Sequence, residues 1–129
     1  MAMKRVFISF DFDHDEELRD ALNEQAKNPK SPFEIADWSV KEAFTSNWRS
    51  KVRERIRKTD LTIVICGEHT HDAKGVAAEL TITREEGKPY FLLHGRPIKT
   101  CTKPRMALSS DKIYKWSWTN LEQLIAGGR

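Results

Sequence analysis

Leu61-Thr62-Ile63-Val64-Ile65-Cys66 is the most apolar stretch of the chain, and its reading decides the fold. Four consecutive β-branched residues with no polar alternation describe a strand buried on both faces. A strand of that kind belongs in the middle of a parallel sheet covered by helices on either side.

The segments around it support that placement. Upstream, residues 6–10 (Val-Phe-Ile-Ser-Phe) form a short β-branched and aromatic run that stops at a cluster of acids. Leu18, Ala21, Leu22, Gln25 and Ala26 then recur at helical spacing, with Asp13 and Glu16 as a candidate capping box. Pro29 and Pro32 end that helix, residues 33–37 form a second strand, and residues 39–46 read as a loop. Trp48, Val52 and Ile56 stripe one side of a second helix. Downstream, residues 68–72 read as a polar loop. A third helix runs from Ala73 or Lys74 to Glu86 and is closed by Gly87. Residues 90–93 form a fourth strand, and residues 94–110, with Pro97 and Pro104, are irregular. Residues 112–116 form a fifth strand. A last helix has Thr119 and Glu122 as its candidate capping box, with Leu121, Leu124 and Ile125 on its apolar face. The order βαβαβαβ-loop-βα predicts an α/β three-layer sandwich with a five-stranded parallel sheet in the flavodoxin-like order 2-1-3-4-5. Ligands in such sheets bind beyond the carboxyl ends of the strands, so residues 9–15, 37–48 and 66–79 carry the candidate site.

The 129 residues fit one domain, 1–129. With 32% charged and 39% hydrophobic residues, the chain is too apolar for disorder and too polar for a membrane protein. No apolar run approaches the roughly 18 residues of a spanning helix, and the first residues lack the apolar core of a secretion signal. Two cysteines cannot make a disulfide framework, so a cytoplasmic address without membrane attachment is expected. The net charge of +3 is spread among many acids and gives no argument for nucleic acid.

Phosphate-cradling glycine motifs are absent, which disfavours a P-loop ATPase or a Rossmann dehydrogenase. The acid-rich segment from Asp11 to Glu17 reads first as capping and solubility. A receiver-type Mg²⁺ site would also need an Asp after the central strand, where the chain has Cys66-Gly67-Glu68. Cys66, His69, His71, His94 and Cys101 have zinc-ligand chemistry but no closed zinc spacing, so no metal is expected. The basic helix of Arg49, Lys51, Arg53, Arg55, Arg57 and Lys58 reads as a solvated face, with self-association as the other use. Glu79 is more informative. On a helical wheel it falls on the flank of the arc formed by Ala73, Val76, Ala77 and Leu80, a boundary position that can border a cleft. A carboxylate there can stabilise an oxocarbenium-like sugar or bind ribose hydroxyls, although a surface Glu is the commoner case. Ala78 and Ile82 fall on the reverse side, as a small apolar patch for a second partner.

Three stretches resemble the TIR-like family, in particular its standalone bacterial branch that includes the TIR component of Thoeris antiphage defence. Residues 5–11 (Arg-Val-Phe-Ile-Ser-Phe-Asp) are close to that family's strand-one box. Residues 60–67 match its central strand closing on Gly. Residues 75–80 (Gly-Val-Ala-Ala-Glu-Leu) align with the helix segment that carries its catalytic Glu. The resemblance implies a flavodoxin-like domain that cleaves the nicotinamide–ribose bond of NAD⁺, giving ADP-ribose, a cyclised isomer or a base-exchange product. NAD⁺ is then substrate rather than cofactor. It implies Glu79 as the catalytic carboxylate, Ser9 at the floor of the pocket, and Phe10, Asp11 and Trp38 lining it. Many members carry Trp four residues before the Glu. Here that position is Gly75, and Trp38 or Trp48 would have to supply the aromatic wall. The family context implies a homo-oligomer and a separate effector that senses the product. The alternative is a non-enzymatic TIR-like self-assembly or scaffold module. A third reading is another N-glycosidic enzyme of the nucleoside deoxyribosyltransferase type.

Overall fold

Alternation along the first strand assigns each face of the sheet to a different pair of helices. The computed structural model describes residues 3–39 and 47–127. Strand β1 (Lys4–Ser9) sends Val6 and Ile8 to one side and Phe7 and Ser9 to the other. On the first side, Val6, Ile8, Ile63, Ile65, Phe91 and Leu93 pack with Leu22 of α1 (Glu16–Ala26) and with Leu121, Leu124 and Ile125 of α4 (Trp118–Ile125). On the second side, Phe7 meets Trp48, Val52 and Ile56 of α2 (Trp48–Arg57) and Ala78 and Ile82 of α3 (Lys74–Glu85). Val64, Cys66 and Leu92 meet Val76 and Leu80 of α3 on the same side.

The remaining strands are β2 (Phe33–Trp38), β3 (Leu61–Cys66), β4 (Tyr90–His94) and β5 (Ile113–Lys115). All pair in parallel in the order β2-β1-β3-β4-β5 among the described residues. Every residue of β3 is buried, as a central strand requires. Thr62, a polar residue inside that strand, shares a 3.0 Å hydroxyl hydrogen bond with Thr83 of α3.

Local details depart from the sequence expectations in four places. The α1 N-cap is Asp15, not Asp13, and its carboxylate makes no capping bond because it turns inward to Arg96. The α4 N-cap is Ser117, which accepts from the Asn120 amide, rather than Thr119. Residues 70–72 of the polar loop form a short 3₁₀ turn. Ala78 and Ile82 do not form a free patch: α2 covers them, and they are 7% and 0% exposed. Gly87, at φ +68°, closes α3 in a conformation that glycine adopts without strain.

The basic helix is largely neutralised from within the chain. Arg53 pairs with Glu85 and Glu86, Arg57 with Glu86, and Arg55 with Asp37. Arg57 and then Arg53 hold the Glu86 carboxyl below its ordinary range. These bridges tie α2 to the C-terminal end of α3 and to β2, so the helix is not an open phosphate track. Residues 40–46, most of the expected 39–46 loop, lie outside the described residues.

Candidate active site

A cleft of about 440 Å³ opens where β1 and β3 point at α3, the place where the strand order reverses. Its lining comes from the turn after β1, from Ser39 after β2, from Trp48 at the start of α2, and from the segment between β3 and the second turn of α3. Glu79 stands at its base, 3% exposed.

Burial of Glu79 departs from the boundary position read off the helical wheel. α3 packs on two partners at once, the sheet through Val76 and Leu80 and α2 through Ala78 and Ile82. The buried arc is therefore wider than the apolar stripe, and Glu79 lies inside it. Two hydroxyls compensate the carboxyl. Ser9 Oγ donates to Oε1 at 2.7 Å and Ser39 Oγ donates to the same oxygen at 2.5 Å. Both distances lie within the range of O–H···O hydrogen bonds. Ser39 is itself oriented, because the Phe10 amide donates to its Oγ at 3.2 Å. Desolvation pushes the Glu79 pKa up from 4.5 to about 7, against the lowering effect of Ser39 and then Ser9. The group thus changes charge near neutrality, where a working carboxyl is most useful.

Ser39 is the site residue that the sequence did not single out. Its cue was its place one residue past the end of a strand, at the carboxyl edge of the sheet. A bulge explains why it reaches Glu79. The β1–β2 register runs Val6↔Ile35 and then Phe7↔Asp37, skipping one residue. That skip turns Asp37 to the α2 side, where it meets Arg55, and sends Trp38 beside Ile8 to the α1 side. Trp38 therefore does not line the cleft, contrary to the expectation drawn from the family resemblance. It packs on the α1-side core, with the Arg19 guanidinium 5.1 Å from its ring centre. Trp48 does line the cleft, as do Phe10 and Asp11, while Ser9 lies beneath, fully buried.

The rim is acidic. Asp11, Asp13 and Asp72 line it together with His14, His69 and Lys74, above the buried Glu79. Asp11 Oδ2 lies 2.6 Å from His14 Nδ1, and this bond is the main reason the His14 pKa is raised. The His14 ring stacks on His69 at 4.1 Å. Gly75 also lines the cleft, and a Cβ built on it meets nothing within 4 Å among the described residues. Cys66 lies fully buried below, and burial pushes its thiol well above the ordinary range. No group of three or more His, Cys, Asp or Glu side chains converges as a metal site would require among the described residues. No helix among them is long and apolar enough to cross a membrane.

A five-stranded parallel α/β sandwich with a carboxyl held by two serines at its switch point defines the class: a TIR-like domain. The family model of the Thoeris protein ThsB TIR-like domain matches residues 7–96, and the chain belongs to that family. That match covers every residue named above as lining the cleft, and it places the chain among the TIR proteins of antiphage defence. No curated protein matches the chain.

Proposed function

We propose that the domain cleaves the bond between nicotinamide and ribose in NAD⁺, with Glu79 as the catalytic carboxylate. The observation that carries this reading is the Glu79 carboxyl, buried at the base of an open cleft and, among the described residues, hydrogen-bonded through the Ser9 and Ser39 hydroxyls on Oε1. Arg55 acts on it through space, more weakly than the two serines, so positive charge developing on a ribose in the cleft would gain a nearby carboxylate. The C1′–N bond breaks with its electron pair leaving on the pyridinium nitrogen, so nicotinamide departs neutral and needs no general acid. Positive charge grows on the ribose as it leaves, and Glu79 stabilises it. Water completes the reaction, giving ADP-ribose and one proton. Attack from within the nucleotide instead gives a cyclic product.

Phe10 and Trp48 supply apolar walls, and the acidic rim favours the cationic pyridinium ring. The product acts as a signal to a separate effector protein, and assembly of several copies accompanies turnover in this reading. Purified protein, with and without lysate from phage-infected cells, is incubated with NAD⁺ while nicotinamide is followed by chromatography. Release of nicotinamide that is lost in Glu79→Gln supports the proposal, and release that survives the substitution refutes the site. A second reading, a non-enzymatic self-assembly module, is favoured by the open wall at Gly75. It gains if neither condition releases nicotinamide while light scattering shows multimers.

A further inference from the structure

A second groove, of about 510 Å³, lies on the other side of the Asp72-Ala73-Lys74 segment, which lines both hollows. Its floor is the exposed side of α3 at Ala77 and Thr81 with the N-cap Ala73, the buried Ala78 touching only its edge, and Met106 stands opposite. Its cations are Arg49, Lys74 and Arg105, all exposed. The segment that carries Arg105 is pinned to α3, because Arg84 donates to the Met106 carbonyl and Arg105 lies 3.7 Å from Asp72. The balance of charge differs between the two hollows, which share Asp72 and Lys74: Asp11 and Asp13 tip the first toward negative, whereas Arg49 and Arg105 outnumber Asp72 in the second.

This division matches the two ends of one molecule. A nicotinamide dinucleotide is positive at its pyridinium ring and negative at its diphosphate, one ribose away, and it ends in a flat apolar adenine. We infer that the second groove holds the adenosine diphosphate half of the substrate, with phosphates on Arg49, Lys74 and Arg105 and the adenine on the alanine floor. The inference rests on the NAD⁺ reading of the first cleft and adds to it the residues that set dinucleotide over mononucleotide preference. These residues supply binding that is equal in ground and transition states, so losing them raises KM and spares kcat.

The test separates the groove from the chemistry. ADP is titrated calorimetrically into the full chain and into Arg49→Glu, Arg105→Glu and Thr81→Trp, with thermal melts confirming that each variant folds. Wild-type protein should bind ADP with an affinity that falls as salt rises. Each charge reversal should weaken binding about tenfold, and Thr81→Trp should block it by filling the floor. In NAD⁺ turnover the same variants should raise KM with kcat unchanged. Failure of the wild type to bind ADP, or equal binding by all variants, overturns the groove even if nicotinamide is released. ADP binding that the variants weaken, without nicotinamide release, keeps the groove and sinks the catalytic reading instead.

Discussion

Replacing Glu79 by Gln should stabilise the protein at alkaline pH and leave it almost unchanged near pH 4.5. The Glu79 pKa rises from 4.5 to about 7 on folding, mainly because burial penalises the charge. Between those values the native state holds a proton that the unfolded chain has released. Stability of the wild type therefore falls as pH rises through that window, and levels off above it. The full effect is on the order of 3 kcal/mol. Gln carries no charge to desolvate, and its carbonyl oxygen still accepts from Ser9 and Ser39. Its advantage over the wild type should grow from nearly zero at pH 4.5 to about 3 kcal/mol by pH 8.5, roughly 10 °C in melting temperature for a domain of this size. Urea melts of both proteins across this range provide the assay, and the difference between them cancels every other titrating group. A difference that stays flat with pH, or that favours the wild type at pH 8.5, would refute the account of Glu79 as a charge buried at a cost.

Three further substitutions probe the same geometry. Ser39→Ala removes the larger of the two hydroxyl contributions that favour the carboxylate, so the acidic limb of kcat/KM against pH should move up by about one pH unit. An unmoved limb would disconnect Ser39 from the working carboxyl. Gly75→Trp should fold normally, since a Cβ there meets nothing within 4 Å among the described residues, and the new ring should lower the KM for NAD⁺ severalfold by stacking at the cleft. A rise in KM would show that substrate does not approach this wall. Gly67→Ala should destabilise by about 2–3 kcal/mol in denaturant melts, because its Cβ would sit 2.7 Å from Cγ of Asp15, a side chain locked in place by Arg96. A neutral effect would mean that the Asp15–Arg96 pair is free to move.

The strand order was legible because short β-branched runs alternate with helices of period 3.6 from Val6 to Ile125, and because the run 61–66 admits only a central position. The location of the cleft followed from topology alone: every residue lining it falls within 9–15, 37–48 or 66–79. What pattern could not show was the fine aim of individual side chains. The β1–β2 bulge carries no sequence marker, yet its one-residue skip takes Trp38 out of the cleft and brings Ser39 to Glu79. Helical-wheel reasoning likewise treated α3 as a helix with one partner. It has two, and so Glu79 is buried rather than marginal and Ala78 and Ile82 are core rather than surface. The caps failed for a related reason: Asp15 is drawn inward by Arg96, a residue 81 positions away.

Nicotinamide release from NAD⁺, measured side by side on the wild type and on Glu79→Gln over pH 5 to 9 with infected-cell lysate present, probes the core of this account most directly. The wild type should turn over with a kcat/KM that rises through about pH 7 as Glu79 ionises, and the Gln protein should be at least about a hundredfold slower at every pH. Equal rates for the two proteins, or a wild-type rate that is flat through pH 7, would contradict it.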